Sequence, residues 1–101
     1  MPREHERYPH FIEIVLESAS GKREARISDI SVGGCFIDSI AGVFVTEPVS
    51  FVVKNDDGRI IDFRGEVTYI FPGIGFGVKF IDLSEEAADY LQQAIVRQSA
   101  N

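Results

Sequence analysis

Several residue types and patterns that would point to a particular class of function are rare or absent in this sequence. It contains one cysteine, so it cannot form an internal disulfide or a cysteine-rich metal cluster. It has no tryptophan and no apolar run near the roughly 18 residues that a membrane-spanning helix requires. Basic residues are also scarce, because 10 Lys and Arg stand against 16 Asp and Glu and the formal net charge is −6. This balance argues against nonspecific binding to DNA, RNA or an anionic membrane, which needs a basic surface.

What the chain does contain is enough apolar sequence for one packed domain. Its length is 101 residues, of which 45% are apolar, and this suits a single core. The N-terminus has no apolar stretch of the kind found in secretory signals, so we expect a cytoplasmic protein. Cys35 lies in an apolar run with Phe36 and Ile37, which predicts a buried thiol that acts as a small hydrophobic side chain.

Alternation of polar and apolar residues between residues 10 and 81 predicts about six short strands. Residues 39–48 are expected to form a loop, although the run 43–45 is apolar enough for a brief pairing. Gly65 interrupts the longest strand and predicts a bend. One face of each strand is apolar, and the side chains expected to point inward are Ile12, Ile14, Leu16, Ala25, Ile27, Val49, Phe51, Val53, Ile61, Phe63, Val67, Tyr69, Phe71, Phe76, Val78 and Phe80.

The period changes after residue 84 from two to about 3.6, which predicts a C-terminal helix. Ser84 is the expected N-cap. A closed barrel buries the apolar face of every strand and removes exposed strand edges. We therefore predict an all-β fold with a terminal helix: a six-stranded antiparallel β-barrel plus a C-terminal α-helix. Residues 1–9 are expected to form a flexible arm and residues 10–98 the barrel domain with its helix. The apolar stripe of the helix comprises Ala87, Tyr90, Leu91, Ala94 and Ile95.

Two short motifs suggest chemistry. Arg3 and Arg7 lie four residues apart in the arm, and a guanidinium can grip a phosphate, pair with guanine or stack on a base. The second motif, residues 29–34, places Asp29 and Ser31 near a strand end and is followed by two glycines. A carboxylate there can accept hydrogen bonds from guanine, and a glycine permits positive φ and close backbone approach. Each motif alone is also what a charged tail or an ordinary turn contains.

Enzymatic and metal-binding alternatives have weaker support. Glu4, His5, Glu6 and His10 are clustered, but their spacing fits no common set of metal ligands. The glycines of residues 73–77 precede a strand and not a helix, unlike a phosphate-binding loop. No catalytic constellation stands out, so we expect a protein that is not an enzyme and that has no metal or cofactor.

The two motifs together resemble the signature of PilZ domains, which has the form Arg-x-x-x-Arg followed by Asp-x-Ser-x-x-Gly. The resemblance extends to residues 27–37, 65–69 and 75–80 and so covers nearly the whole chain. Pro2 stands where many members have a further Arg, and Tyr69 stands where they have Trp. PilZ domains are bacterial six-stranded barrels that bind cyclic di-GMP.

The resemblance implies a stand-alone receptor for cyclic di-GMP that changes its surface on binding and signals to a partner protein. Arg3 and Arg7 would clamp the guanines and phosphates from the arm, while Asp29 and Ser31 would contact them from the barrel. The alternative is an adaptor with the same barrel that binds partners and has weak or no affinity for the nucleotide. The implied ligand-binding residues are Arg3, Arg7, Asp29, Ser31, Gly33 and Gly34.

Overall fold

The computed structural model describes residues 7–99, with side chains through residue 97. Six strands and one helix follow one another along the chain: β1 (Tyr8–Ser18), β2 (Gly21–Ile30), β3 (Gly34–Asp38), β4 (Pro48–Lys54), β5 (Ile60–Phe71), β6 (Gly75–Phe80) and α1 (Glu85–Ser99). The strands are antiparallel and close in the order β1-β2-β3-β6-β5-β4. The predicted closed barrel with a terminal helix is therefore confirmed. The first strand begins at Tyr8, two residues before the expected start.

The interior of the barrel is filled by the inward faces of all six strands, as the alternation predicts. The barrel closes where β1 pairs with β4, because residues 14 to 17 pair with residues 50 to 53. This part of β1 therefore has no unpaired edge. The centre includes a stacked pair of rings, Phe51 and Phe63, whose centroids are 5.0 Å apart. Cys35 is buried there as a free thiol, as predicted, and burial raises the pKa of this thiol well above its usual range.

Helix α1 begins where the sequence predicts. The backbone N–H of Ala87 donates to Ser84 Oγ at 3.0 Å, which is an N-cap bond. Glu85 and Glu86 occupy the first turn, where carboxylates complement the helix dipole. The predicted apolar stripe is confirmed, because its members are buried or packed against the core: Ala87, Tyr90, Leu91, Ala94 and Ile95. Within residues 7–99, no helix is both long and apolar enough to span a membrane.

The longest strand departs from the expected alternation. The pairing of β5 with β6 shifts between Val67 and Tyr69, so one extra residue lies in β5. After this bulge Ile70 packs against the core, while Phe71 is 54% exposed. The prediction that Tyr69 and Phe71 point inward was therefore wrong, because a one-residue bulge moves every later side chain to the opposite face.

Two further details concern Gly65 and the loop before β4. A side chain at Gly65 would lie 2.3 Å from a methyl carbon of Val78, so the glycine allows close packing, and the bend expected there stays a prediction. Residues 39–47 form the expected loop without a strand, and the N–H of Thr46 donates to the carbonyl oxygen of Val67 on β5 at 2.7 Å. Glu47 is buried at the end of this loop.

Candidate ligand-binding site

The two sequence motifs meet at one ion pair. Arg7 directly precedes β1, and Asp29 is the penultimate residue of β2, opposite Pro9. Arg7 Nη1 donates to Asp29 Oδ1 at 2.5 Å, and the two side chains are 20% and 33% exposed. Partial burial reduces the screening of the pair by water. The surface therefore presents a planar donor group and a carboxylate acceptor side by side.

A bulge in β2 turns Asp29 toward the surface. Ile27 pairs with Ile37 but Asp29 pairs with Phe36, so Ser28 is an extra residue in β2. Without it, alternation from the inward-facing Ile27 would point the Asp29 carboxylate into the barrel. The spacing of three between the two buried isoleucines, Ile27 and Ile30, is the signal in the sequence that indicates this bulge.

Ser31 is buried and its hydroxyl is used within its own loop. Its Oγ donates to the carbonyl oxygen of Gly34 at 3.2 Å and accepts from the N–H groups of Gly33 and Gly34 at 3.2 and 3.1 Å. One O–H donor and two lone pairs are all that a serine hydroxyl offers. In this structure Ser31 shapes the loop, and the direct contact with a ligand that the resemblance implies would require one of these bonds to break.

The two glycines fasten the loop to the last strand. A Cβ at Gly34 would lie 2.1 Å from the carbonyl oxygen of Val78, so only glycine fits against β6 at this position. The expected close approach is therefore present, but the positive φ that a glycine also permits is not used by Gly34. Gly33 contributes its carbonyl oxygen, which accepts from the N–H of Phe80 at 2.9 Å. The loop is thus held at the junction where β6 leads toward α1.

Residues 1–6 of the arm lie outside the described part of the chain. Arg3 is among them, so its role stays a prediction, as do the positions of Glu4, His5 and Glu6. His10 is described, and its Nε2 lies 2.9 Å from the hydroxyl oxygen of Tyr90 on α1. Among residues 7–97, no group of three or more His, Cys, Asp or Glu side chains is arranged to share a metal ion.

An aromatic surface lies next to the ion pair on the outside of the barrel. The centroid of the Phe36 ring is 6.1 Å from that of Tyr69 and 5.9 Å from that of Phe71. These rings cover β6, where a Cβ at Gly75 would meet Phe36 and a Cβ at Gly77 would meet Tyr69 within 3 Å. Gly75 and Gly77 therefore allow the rings of Phe36 and Tyr69 to lie close against the backbone of β6. We call Phe36, Tyr69 and Phe71 the aromatic surface.

Strand pairing places the ion pair and the aromatic surface in one row. Asp29 on β2 pairs with Phe36 on β3, Phe36 pairs with Gly77 on β6, and Gly77 pairs with Tyr69 on β5. The outer face thus offers charged hydrogen-bonding groups beside a ring surface. Such a site suits a planar polar ring with an attached anion. Sequence reasoning missed the aromatic part, because strict alternation assigns Tyr69 to the interior.

Comparisons with known proteins agree with this architecture. A family model described as PilZ domain matches residues 2–97. The solved inhibitor of motility MotI/DgrA of Bacillus subtilis superposes with a TM-score of 0.81 at 15% identity, over 100% of this chain and 53% of that chain. The chain thus spans about half of MotI/DgrA. No sequence match to a curated protein was found.

Two further solved structures are isolated PilZ domains. The PilZ domain of CeSA from a cellulose-synthesizing bacterium has a TM-score of 0.66 at 19% identity, over 94% of this chain and 96% of that chain. The PilZ domain of YcgR from Escherichia coli, solved with c-di-GMP, has a TM-score of 0.74 at 15% identity, over 99% of this chain and 93% of that chain. At these identities the similarity shows the fold.

Proposed function

This chain belongs to the PilZ domain family, and from that premise we propose that it is a cytoplasmic receptor for cyclic di-GMP. On binding, it would signal to a partner protein and would catalyse no reaction. The observation that carries the proposal is the row formed by the Arg7–Asp29 pair and the aromatic surface. The E. coli YcgR domain, which has the same fold, was solved with this nucleotide and supports the choice of ligand.

The chemistry of the row matches the parts of the proposed ligand. Cyclic di-GMP contains guanine bases and phosphates, so it needs donors, acceptors and flat apolar contact. The guanidinium of Arg7 has five N–H donors, which suit guanine O6 and N7 or a phosphate. The carboxylate of Asp29 can accept from the N1 and N2 donors of guanine. Phe36 beside it is only 9% exposed, so the half-buried ring of Tyr69 and the exposed ring of Phe71 are the ones on which a base can stack, which is typically worth about 1–3 kcal/mol.

Binding should depend strongly on both charged partners. We expect Arg7→Ala and Asp29→Ala each to weaken binding of cyclic di-GMP by more than tenfold, about 1.4 kcal/mol, because charge-assisted hydrogen bonds are lost. Isothermal titration calorimetry measures this directly. The matched controls are Arg23→Ala and Asp62→Ala, which remove exposed charges of the same kind from β2 and β5. Wild-type affinity in either test variant would refute the assignment of the site.

The second candidate is an adaptor that binds a partner protein without needing the nucleotide. One observation favours it: Arg7 and Asp29 are already paired with each other and the Ser31 hydroxyl is fully bonded without any ligand. A site of this kind must exchange existing bonds for new ones when a ligand binds, which lowers the net gain. Absence of heat and of chemical-shift change when the wild-type protein is titrated with cyclic di-GMP would refute the receptor and favour the adaptor.

A further inference from the structure

A second concave surface adjoins the candidate site on the side of the helix. It is a cavity of about 350 Å³ between the loop that follows β2 and helix α1. Apolar side chains dominate its walls, and we call it the helix groove: Val32, Leu83, Leu91, Ile95 and Val96. Val32 and Val96 at its opposite sides are each 56% exposed, while Leu91 forms a buried base. Exposed apolar surface arranged as a groove is typical of interaction sites.

The helix groove shares one loop with the candidate ligand site. Val32 lies between Ser31, whose hydroxyl organises the loop, and Gly33, whose carbonyl oxygen holds the loop to Phe80. A ligand that draws a hydrogen bond from Ser31 would therefore remove one of the bonds that hold the loop carrying Val32. From the other side, His10 at the start of β1 contacts Tyr90 of the same helix. The loop of the second motif and strand β1, which directly follows Arg7, thus each line the groove or contact the helix that lines it.

Two acidic side chains on the exposed face of α1 lie close to the helix groove in the chain. Glu85 and Asp89 are exposed and form no ion pair with any residue in the described range. Asp89 also lines a neighbouring cavity of about 440 Å³ that shares Gln92 and Val96 with the helix groove. Arg97 lines the same cavity and lies 3.8 Å from Asp56, whereas Glu86 pairs with Arg59 at 3.2 Å. The walls of the helix groove are thus uncharged, and the Asp89 carboxylate in the adjoining cavity has no ion-pair partner among the described residues.

We propose that the helix groove binds a segment of a partner protein that has apolar side chains flanked by Lys or Arg. Two alternative occupants are disfavoured by the same charges. A symmetric dimer through this face would bring the acidic side chains of two copies together, and an anionic membrane would be repelled. Regulation of the groove by the nucleotide rests on the proposed function, whereas binding of the segment does not.

The test uses a defined probe, because the natural partner is not identified. The probe is a short fluorescent amphipathic peptide with leucine on one helical face and lysine on the other. We expect it to bind the full chain and to shift the amide resonances of Val32, Leu91 and Val96. The same peptide with glutamate in place of lysine should bind at least tenfold more weakly, because the acidic side chains repel it.

Substitution locates the binding surface. Val96→Asp should weaken the lysine peptide about tenfold, because it places a charge against the apolar segment. Val15→Asp is the matched control, since it adds the same charge at an exposed valine that lines a separate cavity on the barrel wall. Equal affinity of these two variants for the peptide would overturn the proposal, as would a dimer in sedimentation that only Val96→Asp dissociates. Urea unfolding should show that both variants remain folded.

Addition of cyclic di-GMP separates the two proposals. If the nucleotide binds and changes the affinity of the peptide about threefold or more, both are supported. If the peptide binds to the groove but the nucleotide does not bind, the receptor function fails and the docking surface stands. If the nucleotide binds and the peptide does not, the docking surface is refuted alone. Binding of both without mutual effect refutes regulation, because linkage makes any coupling reciprocal.

Discussion

Glu47 offers a sharp test of how the barrel is held together, because its carboxylate joins two connections. Its side chain is 1% exposed. Oε2 accepts from the backbone N–H of Ala19 at 2.8 Å, and Oε1 accepts from that of Phe44 at 3.0 Å. The first donor lies in the turn between β1 and β2, and the second lies in the connection from β3 to β4. The substitution Glu47→Ala would leave both N–H groups without this acceptor.

The size of the effect follows from these two bonds. A hydrogen bond to a charged group contributes about 1.5–3 kcal/mol, and a buried N–H left without a partner costs about 1–3 kcal/mol. The two figures describe the same loss and do not add. Since Ala19 and Phe44 are themselves exposed residues, water can replace part of the lost bonding. We therefore expect Glu47→Ala to lower the free energy of unfolding by about 2–3 kcal/mol, and Glu47→Gln by about half as much.

The assay is equilibrium unfolding in urea, followed by far-ultraviolet circular dichroism. A loss of about 2–3 kcal/mol is a large share of the roughly 5–15 kcal/mol that stabilises a domain. Glu13→Gln is the control, because Glu13 is exposed on β1 and its substitution should change stability by less than about 0.5 kcal/mol. If Glu47→Ala were as stable as this control, the carboxylate would not join the two connections in the way described.

Two further predictions concern packing and pH. Gly34→Ala should destabilise the fold by about 1–3 kcal/mol, because the new Cβ would meet backbone atoms of β6; Gly42→Ala, with nothing within 4 Å, should leave urea unfolding nearly unchanged, and equal stability of the two variants would contradict the close approach. The pKa of His10 is lowered from 6.5, first by burial and then by Arg97. The folded chain therefore binds this proton less readily than the unfolded chain, so stability is complete above pH 6.5 and is lost as the pH falls below it. Unfolding at pH 7.5 and 5.5 measures the loss, and His10→Gln should reduce it; an unchanged slope would show that His10 is not its source.

Much of the fold could be predicted because alternation reports local geometry. The inward faces of β1 and β4 follow from residues such as Ile14, Leu16 and Phe51, whose spacing of two needs no tertiary information. The helix could be predicted equally well, since Ser84 and the apolar stripe that follows it are local signals in the sequence. The prediction failed for Tyr69 and Phe71, because one extra residue in β5 moves the side chains after it to the opposite face of the strand.

The candidate site divides in the same way. The motif residues Arg7 and Asp29 were recognised as residue types suited to a base and a phosphate. Their contact required the pairing of β1 with β2 in this register, and the outward direction of the carboxylate required the bulge at Ser28. The buried Glu47 carboxylate likewise accepts hydrogen bonds from Ala19, which is distant in the sequence, and from Phe44, which is near. Only the folded barrel brings these two donors to the same carboxylate.

By itself the sequence determined the number of strands, the terminal helix, the interior face of most elements and the chemical types available for binding. These depend on period, capping and composition, which are properties of neighbouring residues. Only the tertiary structure decided that Asp29 faces outward, that the Ser31 hydroxyl is used by its own loop and that rings from three strand positions form one surface. The physical reason is that strand register is set by packing across the whole barrel, and a single bulge reverses the side to which all later side chains point.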